Sequence, residues 1–547
     1  MKHLYAVLFC FMASFTIAQP GTETEITSIN ASIPYQGFEE ASAHLGTGEY
    51  KIYFDNIDGI LDKPIFFIEG FDPGNSRTID LMYQSLTFGQ TSENLADVVR
   101  DEGYDLIVLN FPTYTSVSDG TTLIDGGADY IQRNAFILIE LMNTINAQKS
   151  GTEQNVIIGP SMGGLISRYA LSYMEQNALN HDTRLYVSFD SPHLGANVPI
   201  GLQYLFNYMV NGDPAVAEVE PLVNGLLNTA AAKQMLIDHY TAHLENGSSY
   251  LQNNTLTLPL GAANYREEFQ SELEALGFPQ DTRNIAITNG SGSGEMTGTP
   301  GMEVINHTFD TGEQSGFNTR AIMKVNFTPY AAQTLTVCDF TGQFFFISWI
   351  DAFTYEATSQ APAFTDGIDS APGGQFDMYA IDQGVNPLLT EFVSNLNTQY
   401  FNFIPTLSAL SITDTSNWYA LPNEASSPFD SVYIPENNEP HVTLTQGNVD
   451  FVLNEIFNGS LNTESFTSGT ISLKNNPVAH TLTLLNTRVY KQAQVAIYNM
   501  MGRKVYSANV HLEAETSLPV NLNSGMYILH ILTEDQEKTI LKLVVKQ

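Results

Sequence analysis

Val156-Ile-Ile158 runs straight into Gly159-Pro-Ser161-Met-Gly163-Gly164, and residues 165–176 after it carry apolar side chains at helical spacing. A Gly-x-Ser-x-Gly string alone is a weak signal. Set between a buried strand and a helix, it predicts a sharp turn that holds a serine hydroxyl exposed. The reason is steric, since only residues without bulk can flank so tight a bend. The helix that begins there aims its N-terminal amides at the reacting oxygen and favours negative charge. Ser161 is therefore a candidate nucleophile with Gly159 and Gly163 as the flanks of its elbow; the same residues would also serve a merely structural turn.

Working outward, Pro64-Ile-Phe-Phe-Ile68, Leu106-Ile-Val-Leu109, Leu185-Tyr-Val187 and Asn284-Ile-Ala-Ile287 are short apolar runs like the one before Ser161, and residues 51–55 form an earlier strand. Helical patterns separate several of them, notably over residues 129–147, where Ile131, Ala135, Leu138, Leu141 and Ile145 recur near a 3.6-residue period. Such alternation predicts a doubly wound α/β fold, a mostly parallel sheet covered on both faces, with ligands bound outside the carboxyl ends of its strands.

The elbow and its neighbours resemble the α/β-hydrolases, in particular secreted lipases and esterases. Phe66-Phe-Ile-Glu-Gly70-Phe71-Asp-Pro73 looks like their third-strand end, which implies that the amides of Phe71 and Met162 form an oxyanion hole. Many lipases have a histidine before that glycine, whereas here it is Glu69. Ser188-Phe-Asp190-Ser-Pro-His193-Leu-Gly195 resembles a segment after their sixth strand, and Asp190 and His193 are read there as structural or pocket-lining groups. The family's chain order of serine, acid, histidine leaves His441, in Asn438-Glu-Pro-His441-Val442, as the base. It follows a short strand at 431–434 and precedes a final helix marked by Val449, Val452, Leu453 and Ile456. His239 and His243 fall in a helical insertion, and His307 among hairpins. The acid has two alternatives. Phe403-Ile-Pro-Thr-Leu-Ser-Ala409 resembles a string that the lipase acid often precedes, but Phe401 and Asn402 occupy that place. Asp369, in a turn-rich loop, has the right order; so does Asp430, although it sits at the wrong end of the last strand.

Two insertions are expected to shape specificity. Residues 196–280 form amphipathic helices, a lid over the site or a plain cap, and residues 295–360 form aromatic β-hairpins whose rings are read as packing ahead of a binding platform. The hydrolase domain is expected to span residues 19–460. Neither zinc-ligand spacing, a phosphate loop nor a nucleotide fingerprint is present, so no cofactor is expected.

Of 547 residues, 43% are hydrophobic, which excludes global disorder; the balance of 22 basic to 59 acidic side chains, a formal charge of −37, argues against nucleic acid as a partner. Residues 1–18 read as a signal peptide: Lys2 and His3, an apolar run, then Thr16 and Ala18 before the cleavage point. Cleavage removes Cys10 and leaves Cys338 without a disulfide partner. No later stretch is long and apolar enough to span a membrane.

From Ile471 the charge balance reverses, with 8 basic and 5 acidic residues against 54 acidic before it. A linker is expected at 461–470 and a small β-sandwich at 471–547, built on runs such as Thr481-Leu-Thr-Leu-Leu485 and Gln494-Val-Ala-Ile-Tyr498. Asn476-Pro477, Tyr498-Asn-Met-Met-Gly502-Arg-Lys504, Ser524-Gly-Met-Tyr527 and Lys542-Leu-Val-Val-Lys546 resemble, in order, the type A sorting domain of the type IX secretion system. That resemblance implies a Bacteroidetes-type protein exported through the periplasm, with the type IX machinery as a partner, and then secreted or held on the outer-membrane surface. The sequence thus predicts an exported serine hydrolase of carboxylic esters, lipid or acylated glycan. The alternatives are a polysaccharide-directed acetyl or feruloyl esterase, and a catalytically silent binding protein on the same fold.

Overall fold

The computed structural model describes residues 20–89, 93–213, 215–382, 384, 386–458, 471–486, 488–499, 503–534 and 538–546. The expected signal peptide, the linker and Gly502 of the tail motif lie outside them. The chain divides into two compact units, Met1–Gly459 and Ser460–Gln547.

The first unit is organised by one eight-stranded sheet: β1 (Thr27–Asn30), β2 (Thr47–Tyr53), β3 (Pro64–Ile68), β4 (Asp105–Asn110), β5 (Asn155–Pro160), β6 (Thr183–Phe189), β7 (Arg283–Ile287) and β8 (Ser431–Tyr433). Its spatial order is β1-β2-β4-β3-β5-β6-β7-β8. Strand β2 pairs antiparallel with both neighbours, and every pair from β4 to β8 is parallel. This is the α/β-hydrolase sheet.

The strands are continuously apolar because both faces are covered, and successive side chains divide between two cores. Phe66, Ile68, Ile107, Leu109, Ile157 and Tyr186 face one core, shared with α1 (Ile131–Gln148) and α2 (Met162–Gln176). Ile65, Phe67, Leu106, Val108, Val156, Ile158 and Val187 face the other, which Val449, Val452 and Ile456 of the final helix, Gln446–Asn458, close. The chain passes from β3 to β4 on one side and later returns to lay β5 on the other. The crevice at the carboxyl ends of β3 and β5 is therefore a topological switch point, where such sheets bind ligands.

The helical insertion after β6 includes a helix at Ile200–Asn211, whose Tyr208 stacks on Tyr355 at 4.3 Å between ring centres. Tyr355 belongs to a four-stranded antiparallel sheet formed by Glu303–Gln314, Phe317–Asn326, Thr334–Phe345 and Trp349–Gln360. Not all its aromatics are packing, as the sequence suggests: Phe353 stacks on Phe340, but Phe345 and Phe346 are exposed, because they lie beyond the part of the sheet that the helix covers.

The second unit pairs a three-stranded sheet (Ile471–Leu473, Thr481–Asn486, Glu515–Pro519) with a four-stranded one (Lys504–Leu512, Tyr490–Asn499, Gly525–Thr533, Lys538–Val545). Leu482, Leu484, Val495, Ile497, Leu529 and Leu543 form one core between them, which makes the unit a small β-sandwich.

Candidate active site

Ser161 stands between β5 and α2 with φ 53° and ψ −128°, a backbone conformation L-residues rarely adopt. The bend is locked on both sides. The Ser161 N–H donates to the Phe189 carbonyl at 2.8 Å, and Gly159 lies so close to the Gly163 carbonyl that a methyl group would not fit. Gly70, after β3, is also close, less tightly than Gly159, since a Cβ there would lie 3.2 Å from Ser161 Cβ. The close approach sets Phe71 beside the serine. Met162 opens α2, so its N–H is one of the first four without an intrahelical acceptor. These are the two amides expected from the sequence.

The structure brings Ser161 and His441 together across 280 residues of chain, with Ser161 Oγ 2.9 Å from His441 Nε2. The carboxylate on the other ring nitrogen is neither of the two sequence candidates. It is Asp190, whose Oδ2 lies 2.6 Å from Nδ1. The register explains why. Phe189, the last residue of β6, pairs with Pro160, the last of β5, so Asp190 emerges level with Ser161. Asp190 is fully buried with φ 48°, and its Oδ1 accepts from the Asn289 N–H at 3.0 Å and the Thr288 hydroxyl at 3.3 Å. It still falls between Ser161 and His441 in the chain; reading it as too early in the chain for the triad acid is what sets it aside.

Asp369 and Asp430 are corrected accordingly. Asp369 is buried elsewhere, accepting from Asn197 Nδ2 at 3.1 Å and the Thr328 N–H at 2.7 Å, and burial pushes its carboxyl up to about 6. It lines a separate cavity of about 780 Å³. Asp430 lies at the amino end of β8 and accepts from the Asn284 N–H at 2.7 Å, at the opposite end of the strands from the serine. His193 is wholly buried with Nε2 2.8 Å from Ser188 Oγ, and desolvation holds its pKa well below the ordinary histidine value.

Four further residues shape the site. Asn289 fastens the histidine loop, donating from Nδ2 to Glu439 Oε2 at 2.8 Å and to the Thr443 carbonyl at 3.0 Å. The His441 N–H donates to the Gln375 carbonyl at 2.8 Å, and the Phe403 ring meets the imidazole edge-on at 4.9 Å. Glu69 is 1% exposed, with one oxygen accepting from the Phe111 N–H at 2.9 Å, and burial raises its pKa well above the carboxylate range. Asn289 carries no motif, but the position of Asp190 at the end of an apolar run, followed by Pro192, was a usable signal.

Ser161 sits where two cavities meet. One, of about 240 Å³, contains Glu69, Arg77 and His441; the other, of about 130 Å³, is walled by Leu202, Phe206, Leu226, Met235 and Phe403. The helical insertion supplies half of the second wall. Among the described residues, Glu175, His181 and Asp281 are a group that could hold a metal, but His181 and Asp281 lie just before the amino ends of β6 and β7, away from the carboxyl ends that carry the serine, and Glu175 already accepts from the Gln280 and Asp281 N–H groups.

Residues 61–217 match the family described as PGAP1-like alpha/beta domain, and residues 476–546 match the secretion system C-terminal sorting domain. Among solved structures, the peroxisomal alpha-beta-hydrolase Lpx1 of Saccharomyces cerevisiae is similar at 14% identity over 49% of this chain and 74% of that one, with a TM-score of 0.27. A Pyrobaculum calidifontis esterase is similar at 9% identity over 48% and 66%, TM-score 0.23. A thermostable carboxyl esterase of Bacillus coagulans is similar at 9% identity over 48% and 80%, TM-score 0.21. No curated protein matches the sequence.

Proposed function

We propose that this chain is an exported serine hydrolase that cleaves carboxylic esters through an acyl-enzyme. The observation that carries the reading is the unbroken chain Ser161 Oγ, His441, Asp190, at 2.9 and 2.6 Å. A serine hydroxyl becomes nucleophilic when an imidazole takes its proton, and the imidazole must be held in the right tautomer. Asp190 accepts the Nδ1 hydrogen and leaves Nε2 free to accept from Ser161. As Oγ attacks the ester carbonyl, His441 takes the proton and passes it to the departing alkoxide. The oxygen of the tetrahedral intermediate is held by the amides of Phe71 and Met162, donors worth roughly 3–4 kcal/mol each. Water then attacks the acyl-enzyme by the same proton route in reverse.

The apolar cavity beside Ser161 suits an acyl chain and favours a lipase or general esterase over an acetyl esterase. The sorting tail supports delivery by the type IX machinery to the medium or the cell surface. A fluorophosphonate should label the folded protein at Ser161, and Ser161→Ala should abolish the label. A folded wild-type protein that takes no label would overturn the proposal. Nitrophenyl esters of increasing chain length should show the acyl preference, with rates rising beyond acetate.

A further inference from the structure

The four-stranded sheet has one packed end and one bare end. At Phe340 and Tyr355 its face is seated on Tyr208 of the helical insertion. Beyond that seat the strands run on for five or six residues, roughly 17–20 Å. The two turns at this far end, around residues 315–316 and 346–348, come together because Thr319 pairs with Phe344. There the chain displays Phe317, Phe345, Phe346, Ile347, Trp349 and Ile350, with Phe346 62% and Ile347 83% exposed. The rings touch one another, Phe317 on Phe344 and Phe346, and Phe345 on Trp349. Scattered apolar residues on a surface need no explanation, but a contiguous aromatic cluster at a projecting tip does.

We propose that this tip is an anchor that seats in the surface of a zwitterionic lipid layer. Shape, composition and charge converge on that occupant. The tip is convex, so it enters a soft apolar phase more readily than it receives a ligand. Phe, Trp and Ile are the side chains that settle at the boundary of headgroup and acyl chain, at a depth of about 5–10 Å. Behind the tip, Asp310 pairs with Arg320 across the strands, Glu313 lies nearer the turn, and Asp351 accepts from Gln343 Nε2 at 2.7 Å; the Arg320 guanidinium rests over the Trp349 ring at 4.1 Å and its Nε donates to Gln343 Oε1 at 2.7 Å. An acidic collar on a chain of net charge −37 repels anionic lipid and complements the ammonium groups of a zwitterionic one. The anchor does not depend on the chemistry of Ser161.

The chain contains two tryptophans, Trp349 and Trp418, so full-length Trp418→Phe protein, excited at the red edge where tyrosine does not absorb, leaves the tip residue as the sole tryptophan emitter. On mixing with phosphatidylcholine vesicles its emission should shift to the blue, and brominated acyl chains should quench it. In flotation assays of the otherwise unaltered protein, Phe346→Ser with Ile347→Ser should lower partition into these vesicles about tenfold or more, since binding scales with buried apolar area. The pair should leave hydrolysis of a soluble nitrophenyl ester unchanged. Phosphatidylglycerol vesicles should bind less protein, and Ser161→Ala should bind phosphatidylcholine as wild type does. Wild-type protein that does not float, or a double variant that floats as well as wild type, would overturn the anchor. So would a double variant that instead dissociates a dimer in sedimentation, which would assign the tip to a second copy of the chain.

Discussion

Asp190 and Asp369 are both fully buried aspartates in loops of the first unit, and they do different things. Asp190 leaves the end of β6 level with the serine, presents one oxygen to the His441 ring and fixes the other on Asn289 and Thr288. Asp369 lies in a turn at Ile368–Ser370 and spends both oxygens on Asn197 and the Thr328 amide. Burial and chain order fit both equally well. Only the sheet separates them, because adjacent strands in register deliver their carboxyl ends to the same crevice. The role of a buried carboxylate is set by the strand end it leaves.

The largest effects should come from the triad itself. Ser161→Ala should lower kcat on a nitrophenyl ester by about 10⁴-fold or more, as removal of a triad serine does. Asp190→Asn should cost roughly 10³–10⁴-fold in kcat with little change in KM, because the amide favours the wrong histidine tautomer. Asp430→Asn should stay within about threefold of wild type. An Asp190→Asn enzyme at wild-type rates would erase the distinction between the two aspartates.

A smaller effect probes the space around Asp190. Gly374 lies against its carboxylate so closely that a Cβ would overlap Oδ2. Gly374→Ala should push Asp190 off the imidazole and lower kcat by about 10²-fold, the scale of an ångström's misplacement. Circular dichroism and urea midpoints near wild type would locate the loss at the site. An unchanged rate would mean that the loop yields and that Asp190 is less tightly held than its contacts indicate.

The fold was open to reading because its strands are buried on both faces, and such strands stand out as apolar runs between helical periods. Ser161 was readable because the bend it occupies admits only small neighbours, a constraint written in Gly159 and Gly163. His441 could be reached because the other histidines after His193 fall in insertions or in the tail. Asp190 was quoted yet set aside, since the sequence shows which residues end strands but not which strands lie side by side in register. Asn289 was invisible, as a backbone amide and a carboxamide leave no pattern. The bare hairpin tip was misjudged because aromatics alternate along a strand in the same way whether or not a helix covers them.

The smallest expected change in rate, and the clearest contrast with Asp190, is Asp369→Asn. Asp369 makes no hydrogen bond to the His441 ring and reaches it only through Asn197, whose N–H donates to the Phe403 carbonyl, so kcat/KM should stay within about threefold of wild type. Its signature should be in stability. Burial raises the Asp369 carboxyl from 3.8 to about 6, so the folded chain holds a proton that the unfolded chain has released between those values. The stabilisation this proton brings is complete below pH ~4 and is lost as pH rises through about 6, and at 1.36 kcal/mol per unit the shift amounts to about 3 kcal/mol. Asn does not titrate. Asp105 and Asp129 are also raised to about 6 by burial, so wild-type stability alone would mix several groups. The difference between wild type and Asp369→Asn isolates one of them. Measured by urea unfolding from pH 4 to 7, it should move by up to about 3 kcal/mol in favour of the variant as pH rises. A difference that stays flat would mean that Asp369 remains ionised throughout, its charge carried by Asn197 and the Thr328 amide alone.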